Sequence, residues 1–427
     1  MSKDSNQKPK FWFYYQATLA IGSVLVFFTF IDVYFFGIGK LPAPVVSISL
    51  FIGAGFLLLV FTRFALLKYI PSELIIWCAG YLAISLFSFL VAVIFYAEYP
   101  FVDEAFPEVR IRILSEAFLI IMYLIFAKNP KIQNLTRVAM CLAVLLAVFN
   151  NIREVSEPLA FQGLNGSGRA AGYYINPNRT GRALILGMIF GMGVLPKKLR
   201  IPFALLVFFG IFLTFSRAAI LGWFMVMPIF IQSGVIPRKQ FLFWVVGIVT
   251  MISVFGPVLS NIDLNELQRA GLINVGIENI TGRLEWFQNP LANKEDSGDS
   301  RVEVVITAWN MFVEHPILGN GIASTNNLNN WGISTHNMYL LFVAEHGIFG
   351  IFILPLFVYA VTWHSRGESK HIALAFSSFI LIAGLFTHNI VEERFILICF
   401  ALMAAMNVTS RLEQKSKNVI FENSIIE

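Results

Sequence analysis

Cysteine is scarce in this chain of 427 residues: Cys78, Cys141 and Cys399 each lie inside an apolar run, which excludes a disulfide framework and a thiolate metal site. Charge is scarce too, at 13% of residues. No basic stripe alternates with exposed aromatic residues, so no nucleic acid is expected as a partner. Zinc patterns, nucleotide-binding loops and Gly-x-Ser-x-Gly elbows are missing, and no acidic pair at metal-ligand spacing stands in the outer loops. The expected metal and cofactor are therefore none. Chemistry here has to neutralise negative charge with arginines.

Apolar sequence fills the space instead. The chain is 57% hydrophobic with a mean hydropathy of +0.71, more than a soluble core needs. The expected fold is an all-α polytopic membrane protein. Runs of about 20 apolar residues fall near 15–37, 44–62, 73–96, 111–127, 133–151, 179–195, 201–215, 217–233, 240–259, 338–362, 372–390 and 394–410, which makes twelve transmembrane helices. The seventh and eighth are short and share a tight junction. The N-terminal MSKDSNQKPK precedes an apolar run without a clear cleavage site and reads as a cytoplasmic tail.

Alternate loops and tails carry Lys3, Lys8, Lys10, Arg63, Lys68, Lys128, Lys131, Arg137, Lys197, Lys198, Arg200, Arg238, Lys239, Arg366, Lys370, Arg411, Lys415 and Lys417. These are 18 of the 31 basic residues, and they place both termini in the cytoplasm. Twelve of 14 lysines fall on that side, whereas 11 of 17 arginines lie outside or at the outer membrane edge. Arginine presents a planar fork to phosphate, so the outer face suits an anionic, phosphate-bearing ligand. Pairing of some of these arginines with Glu154, Glu157 and Glu303 is the alternative.

Three regions follow: a membrane region 1–259 with nine spans, a large outer loop 260–337, and 338–427 with three spans and a cytoplasmic tail. The outer segment 152–178 joins spans five and six. Within the large loop, 264–280 looks helical and 289–300 reads as a polar linker. From Arg301 to Glu314, Val305, Ala308, Trp309 and Phe312 recur at helical spacing, which predicts a short helix at the interface.

Four places could carry chemistry. Ser216 is placed to cap the eighth span, and Arg217 occupies its first turn, where a cation opposes the helix dipole unless an anion docks there. Arg169 follows a Gly-Ser-Gly run, and Asn176-Pro177-Asn178 marks the turn into span six, with Arg179 and Arg182 as possible interfacial anchors. His336 is the sharpest candidate for a base, since imidazole takes a proton near neutral pH and nearby arginines favour its neutral form. His388-Asn389, close to Glu392, Glu393 and Arg394, is a rival base or a support. His315, before Pro316 at a helix end, reads as structural. Glu345, nine residues past His336, falls on roughly the opposite helix face and is expected to bond a neighbouring helix.

Taken together, these residues resemble the O-antigen ligase and polymerase superfamily of bacterial envelope glycosyltransferases. The matching features are Arg169 with Asn176-Pro177-Asn178, Thr214-x-Ser216-Arg217, and Arg301 with Trp309. To them belong His315-Pro316-x-x-Gly319-x-Gly321, His336-Asn337-x-Tyr339 and Glu345-x-Gly347-x-x-Gly350. The resemblance implies a twelve-span, GT-C-like enzyme of the bacterial inner membrane with a large periplasmic loop. It implies inverting, metal-independent transfer of a glycan from an undecaprenyl-diphosphate carrier to an acceptor hydroxyl. His336 would then be the general base. Arg217, Arg301 and Arg169 would bind the pyrophosphate, supported by Ser216, Asn337, Asn178, Tyr339 and His388. A ligase acting on lipid A core is the first reading and a polysaccharide or O-antigen polymerase the second. A transporter or lipid flippase is the competing class, but it would show related halves around a midplane site, and here the polar candidates gather at one membrane face.

Overall fold

Inside a bilayer a backbone has no water to bond, so long apolar runs satisfy their own amides as helices. In the computed structural model every regular element among the described residues is helical. Those residues are 8–98, 101–157, 160–161, 164, 169–241, 296–326 and 335–426. In chain order the helices are α1 (Lys8–Ser23), α2 (Ile31–Gly37), α3 (Pro44–Phe61), α4 (Ser72–Phe95), α5 (Val102–Phe126), α6 (Pro130–Ser156) and α7 (Pro177–Gly191). There follow α8 (Lys197–Thr214), α9 (Arg217–Gln232), α10 (Asp296–Glu314), α11 (Met338–His346), α12 (Ile353–Thr362), α13 (Glu368–Ala383) and α14 (Arg394–Ile426).

Among the described residues, six stretches are long and apolar enough to cross a membrane: Phe11–Phe28, Pro44–Phe61, Ser72–Phe95, Pro130–Ser156, Met338–Thr362 and Arg394–Glu413. Arg217–Gln232 is a shorter apolar helix. The runs expected near 111–127, 179–195, 201–215 and 372–390 also lie in helices, α5, α7, α8 and α13. The run at 240–259, the stretch 264–280 and the boundary at 259/260 lie outside the described residues. Two runs are less continuous than their hydropathy suggests. The first is interrupted by a π-turn at Val24–Phe28 and a left-handed Phe30 at φ 62°. The run 338–362 breaks at Gly347 and continues through a 3₁₀ segment, Gly347–Phe352, into α12.

The chain divides into two compact units, one drawn from Met1–Ser23, Val45–Leu135 and Lys294–Glu427, the other from Val24–Pro44 and Thr136–Asn293. The first unit is built around α14, whose residues Arg394 to Met406 are all buried. A helix apolar on every side has to be surrounded by others, and α5, α12 and α13 all pack on it. Trp77, Phe357 and Phe400 stack in a column with centroids 3.7 Å apart at each step. The Trp77 indole N–H donates to Ile353 O at 2.9 Å, so the ring's polar edge is satisfied.

In the second unit α7 is the enclosed helix, buried without a break from Ala183 to Gly191. Polar side chains tie its neighbours: Arg137 Nε donates to Phe190 O at 2.8 Å, and Asn151 Nδ2 to Gly210 O at 3.1 Å.

The helix expected over 301–314 forms as α10, but begins at Asp296, within the stretch that the sequence suggested was linker. Its buried stripe is also rotated from the expected one. Val304 and Ala308 pack with Ala344, Met311 and Leu340, while Val305 and Trp309 are exposed. One residue is a turn of about 100° on a helix, so the choice between Val304 and Val305 decides which way the helix faces. Both are valines, and only α11 as neighbour settles it.

Candidate active site

His336 lies at a junction built by local capping. The Asn337 side chain accepts from Tyr339 N at 3.0 Å and Leu340 N at 3.1 Å, which satisfies two amides at the start of α11. Asn337 is thus a helix cap. His336 precedes it in the left-handed region at φ 47°, a conformation non-glycine residues visit rarely, and its side chain is exposed. Two contacts dock this end of α11 on α13: Met338 N donates to Gly384 O at 2.8 Å, and Tyr339 OH to Leu381 O at 2.9 Å. Tyr339 acts as a tether rather than facing the polar loop.

That docking brings the two His-Asn pairs together. The rings of His336 and His388 lie 5.6 Å apart between centroids, tilted by 56°. Asn389, held by Thr387 Oγ1 at 2.8 Å, accepts the backbone N–H of Glu392 and Glu393 through its carbonyl. Glu392 faces Glu108 on α5. Burial, and then the Glu108 carboxylate, push its pKa well above the usual carboxylate range, against the pull of Arg112.

Arg301 stands near the start of α10. The Asn320 amide donates to Met311 O at 2.8 Å and to Ala344 O at 3.0 Å, so the C-terminal ends of α10 and α11 abut. Since Val304 and Ala308 also pack against α11, the two helices run in the same direction. The backbone of Arg301 therefore lies at the same end of the pair as the His336 junction.

The blocks around His315 and Glu345 form one interlocked unit. His315 ends α10, with its ring edge-on to Tyr96 at 5.8 Å. The following segment crosses the break after α11: Asn320 N donates to Ala344 O, Gly321 N to Glu345 O and Ile348 N to Pro316 O. Gly347 is required here, since its φ is +66° and a Cβ would collide with Ile317 O. At Gly350 a Cβ would strike the Phe342 carbonyl. Glu345 bonds Arg112 of α5 at 2.6 Å, a neighbouring helix as expected. Arg112, missed as a functional candidate, is among the largest fully buried side chains of the described residues. Its signal was readable: Glu108, Arg112 and Glu116 at i, i+4 spacing, in a helix that turns apolar after Glu116, mark one polar helix face.

The remaining candidates belong to the second unit. The Asn176 side chain caps α7, accepting from Asn178 N at 2.9 Å and Arg179 N at 3.3 Å. Asn178 thus contributes its backbone to the cap and leaves its side chain exposed. Arg169 precedes a tight clamp in which Glu154 Oε2 accepts from Ala171 N at 2.7 Å and Gly172 N at 2.6 Å. Glu157 pairs with Arg153 at 3.2 Å, and Arg179 lies over the Phe30 ring at 4.5 Å.

The tight junction of spans seven and eight is two residues, Phe215 and Ser216, with Phe215 left-handed at φ 48°. Ser216 holds the N-cap position of α9 but does not cap it. Its Oγ is buried and makes no hydrogen bond among the described residues, while Ser216 N donates to Thr214 Oγ1 at 3.2 Å. The reason is packing. Gly181 of α7 presses against Ser216 and Ala219, so the hydroxyl faces α7 instead of its own helix end. The starts of α7 and α9 therefore lie side by side, two positive helix ends with Arg217 exposed between membrane helix and loop. That combination attracts an anion.

His336, Asn337, Tyr339, His388 and the Arg301 backbone thus belong to one unit, and Arg169, Asn178, Ser216 and Arg217 to the other. Residues 202–355 match the family model described as O-antigen ligase. The match spans Ser216, Arg217, Arg301, His336, Asn337 and Tyr339, and leaves Arg169, Asn178 and His388 outside. It supports the O-antigen ligase and polymerase superfamily and indicates a glycosyltransferase-type enzyme. No curated protein matches the chain.

Proposed function

We propose, with the O-antigen ligase match over 202–355 as premise, that the chain transfers a glycan from undecaprenyl diphosphate to an acceptor hydroxyl on the periplasmic face of the bacterial inner membrane. The observation that carries this reading is an exposed histidine held left-handed at a helix cap, with a second imidazole beside it. His336 removes the proton as the acceptor oxygen attacks the anomeric carbon. The bond from that carbon to the phosphate oxygen breaks, configuration inverts, and undecaprenyl diphosphate leaves. Arg217 and Arg301, with Arg169 assisting, hold the pyrophosphate by forked contacts and stabilise the charge that develops on it. Asn337 and Tyr339 hold the base in place, and His388 supports its ring. The acceptor is lipid A core in a ligase and another repeat unit in a polymerase. We favour the ligase.

The direct test is reconstitution in liposomes with an undecaprenyl-diphosphate-linked glycan. Consumption of that donor with release of undecaprenyl diphosphate is the expected result, and translocation of intact donor would instead make the chain a flippase. Supplying lipid A core or further repeat units separates the two acceptors. EDTA should leave the rate unchanged, because the arginines supply the positive charge. Loss of transfer under EDTA with recovery on adding a divalent ion would overturn the arginine-only mechanism.

The orientation is tested separately. Cysteines introduced at Lys198 and Lys370 should be shielded from an impermeant reagent in intact cells, whereas one at Ser297 should react. The reverse pattern would put His336 in the cytoplasm and end the periplasmic reading.

A further inference from the structure

We propose that Arg112 and Glu345 form a positioning pair for His336, fixing the height and rotation of α11 and with them the place of the imidazole. The proposal rests on reading His336 as the base and adds to it a device at the far end of the same helix.

Glu345 ties three parts of its unit together. Its Oε2 accepts from Arg112 Nη2 of α5 at 2.6 Å, and its Oε1 accepts from Ala323 N at 3.0 Å and Thr325 Oγ1 at 3.2 Å. Arg112 is equally engaged. Nη1 lies 2.8 Å from His346 Nε2 and 3.4 Å from Ser85 Oγ, and Nε lies 3.4 Å from Glu108 and 3.9 Å from Glu392. The other nitrogen of His346 bonds Ser88 Oγ. All of these groups are buried except the two partly exposed glutamates, Glu108 and Glu392.

Charge in such a place is a poor way to gain stability, because apolar side chains of similar volume often do as well or better. Directional bonds specify geometry instead. Glu345 and His346 are consecutive, so they leave α11 about 100° apart, and both engage Arg112. Two pins at that angle fix rotation about the helix axis as well as position along it. The same carboxylate also holds Ala323 and Thr325, in the segment that follows α10. The stiff rod of α11, roughly 13 Å long at 1.5 Å per residue, carries the constraint to its capped start. An imidazole displaced by an ångström loses its alignment with the acceptor oxygen.

The experiment compares kcat for transfer, KM for the undecaprenyl-diphosphate-linked glycan, binding of undecaprenyl diphosphate and thermal unfolding in full-length variants. Glu345→Gln should lower kcat about a hundredfold with KM and binding near wild type, while the unfolding midpoint falls because Arg112 loses a buried partner. Arg112→Lys should likewise leave kcat below wild type because one ammonium cannot reach both Glu345 and His346. The decisive arm is the same Glu345→Gln change in a His336→Ala background. A pair that acts through His336 has nothing left to position there, so residual transfer should not fall further. An equal fall in both backgrounds overturns the proposal, as does wild-type kcat in Glu345→Gln. If His336→Ala alone retains full transfer, the base reading fails first and the positioning role falls with it. Should Glu345→Gln not accumulate, Thr325→Val removes one donor to Glu345 while keeping its shape. A smaller fall in kcat, absent from the His336→Ala background, is then expected, and an unchanged kcat or a background-independent fall overturns the pair.

Discussion

Replacement of His336 by Ala is expected to reduce glycan transfer by about a hundred- to ten-thousand-fold, the range lost with a general base, while undecaprenyl diphosphate still binds and the protein still inserts. The side chain is exposed, so its removal empties no core. His336→Asn is the sharper control, since asparagine tolerates positive φ better than most residues and keeps the backbone while losing the base. His388→Ala should have a much smaller effect, as expected of a ring that supports the base rather than taking the proton. If His388→Ala abolishes transfer and His336→Ala does not, the base is the second His-Asn pair. At 5.6 Å between rings the fold would accommodate that exchange, which is why both variants have to be measured.

The second large effect is expected at Arg217. A cation in the first turn of α9 opposes the helix dipole by about 0.3–1 kcal/mol, so Arg217→Ala should leave unfolding unchanged or slightly raise the midpoint. Transfer should nevertheless fall about a hundredfold or more, as when a group that stabilises developing negative charge is removed, and donor binding should weaken with it. Arg217→Lys should rescue poorly, since it lacks the bidentate fork. Arg301 should behave in the same way. Full activity in either lysine variant would reduce that arginine to a generic positive charge. Stability held while activity is lost separates a ligand-binding arginine from one anchored to lipid headgroups.

Much of the local structure was legible because it depends on near neighbours. The junction at His336-Asn337, the stop at His315-Pro316, the helix through Arg301–Glu314 and the two-residue turn before Arg217 all follow from capping, proline sterics and 3.6-residue periodicity. Ser216 shows where such reasoning stops. A serine before a helix is normally its cap, yet Gly181 from another helix turns this hydroxyl away.

By itself the sequence determined a helical chain with apolar spans and the helix starts beside Arg217 and His336, since hydropathy and capping act over a few residues. Tertiary structure alone decided which remote groups meet. It brought His388 beside His336 and chose Val304 over Val305 as the buried face of α10. It also joined Arg112 to Glu345 across 233 positions of chain. No periodicity encodes such pairings, because they arise when helices dock and a buried charge must find its partner.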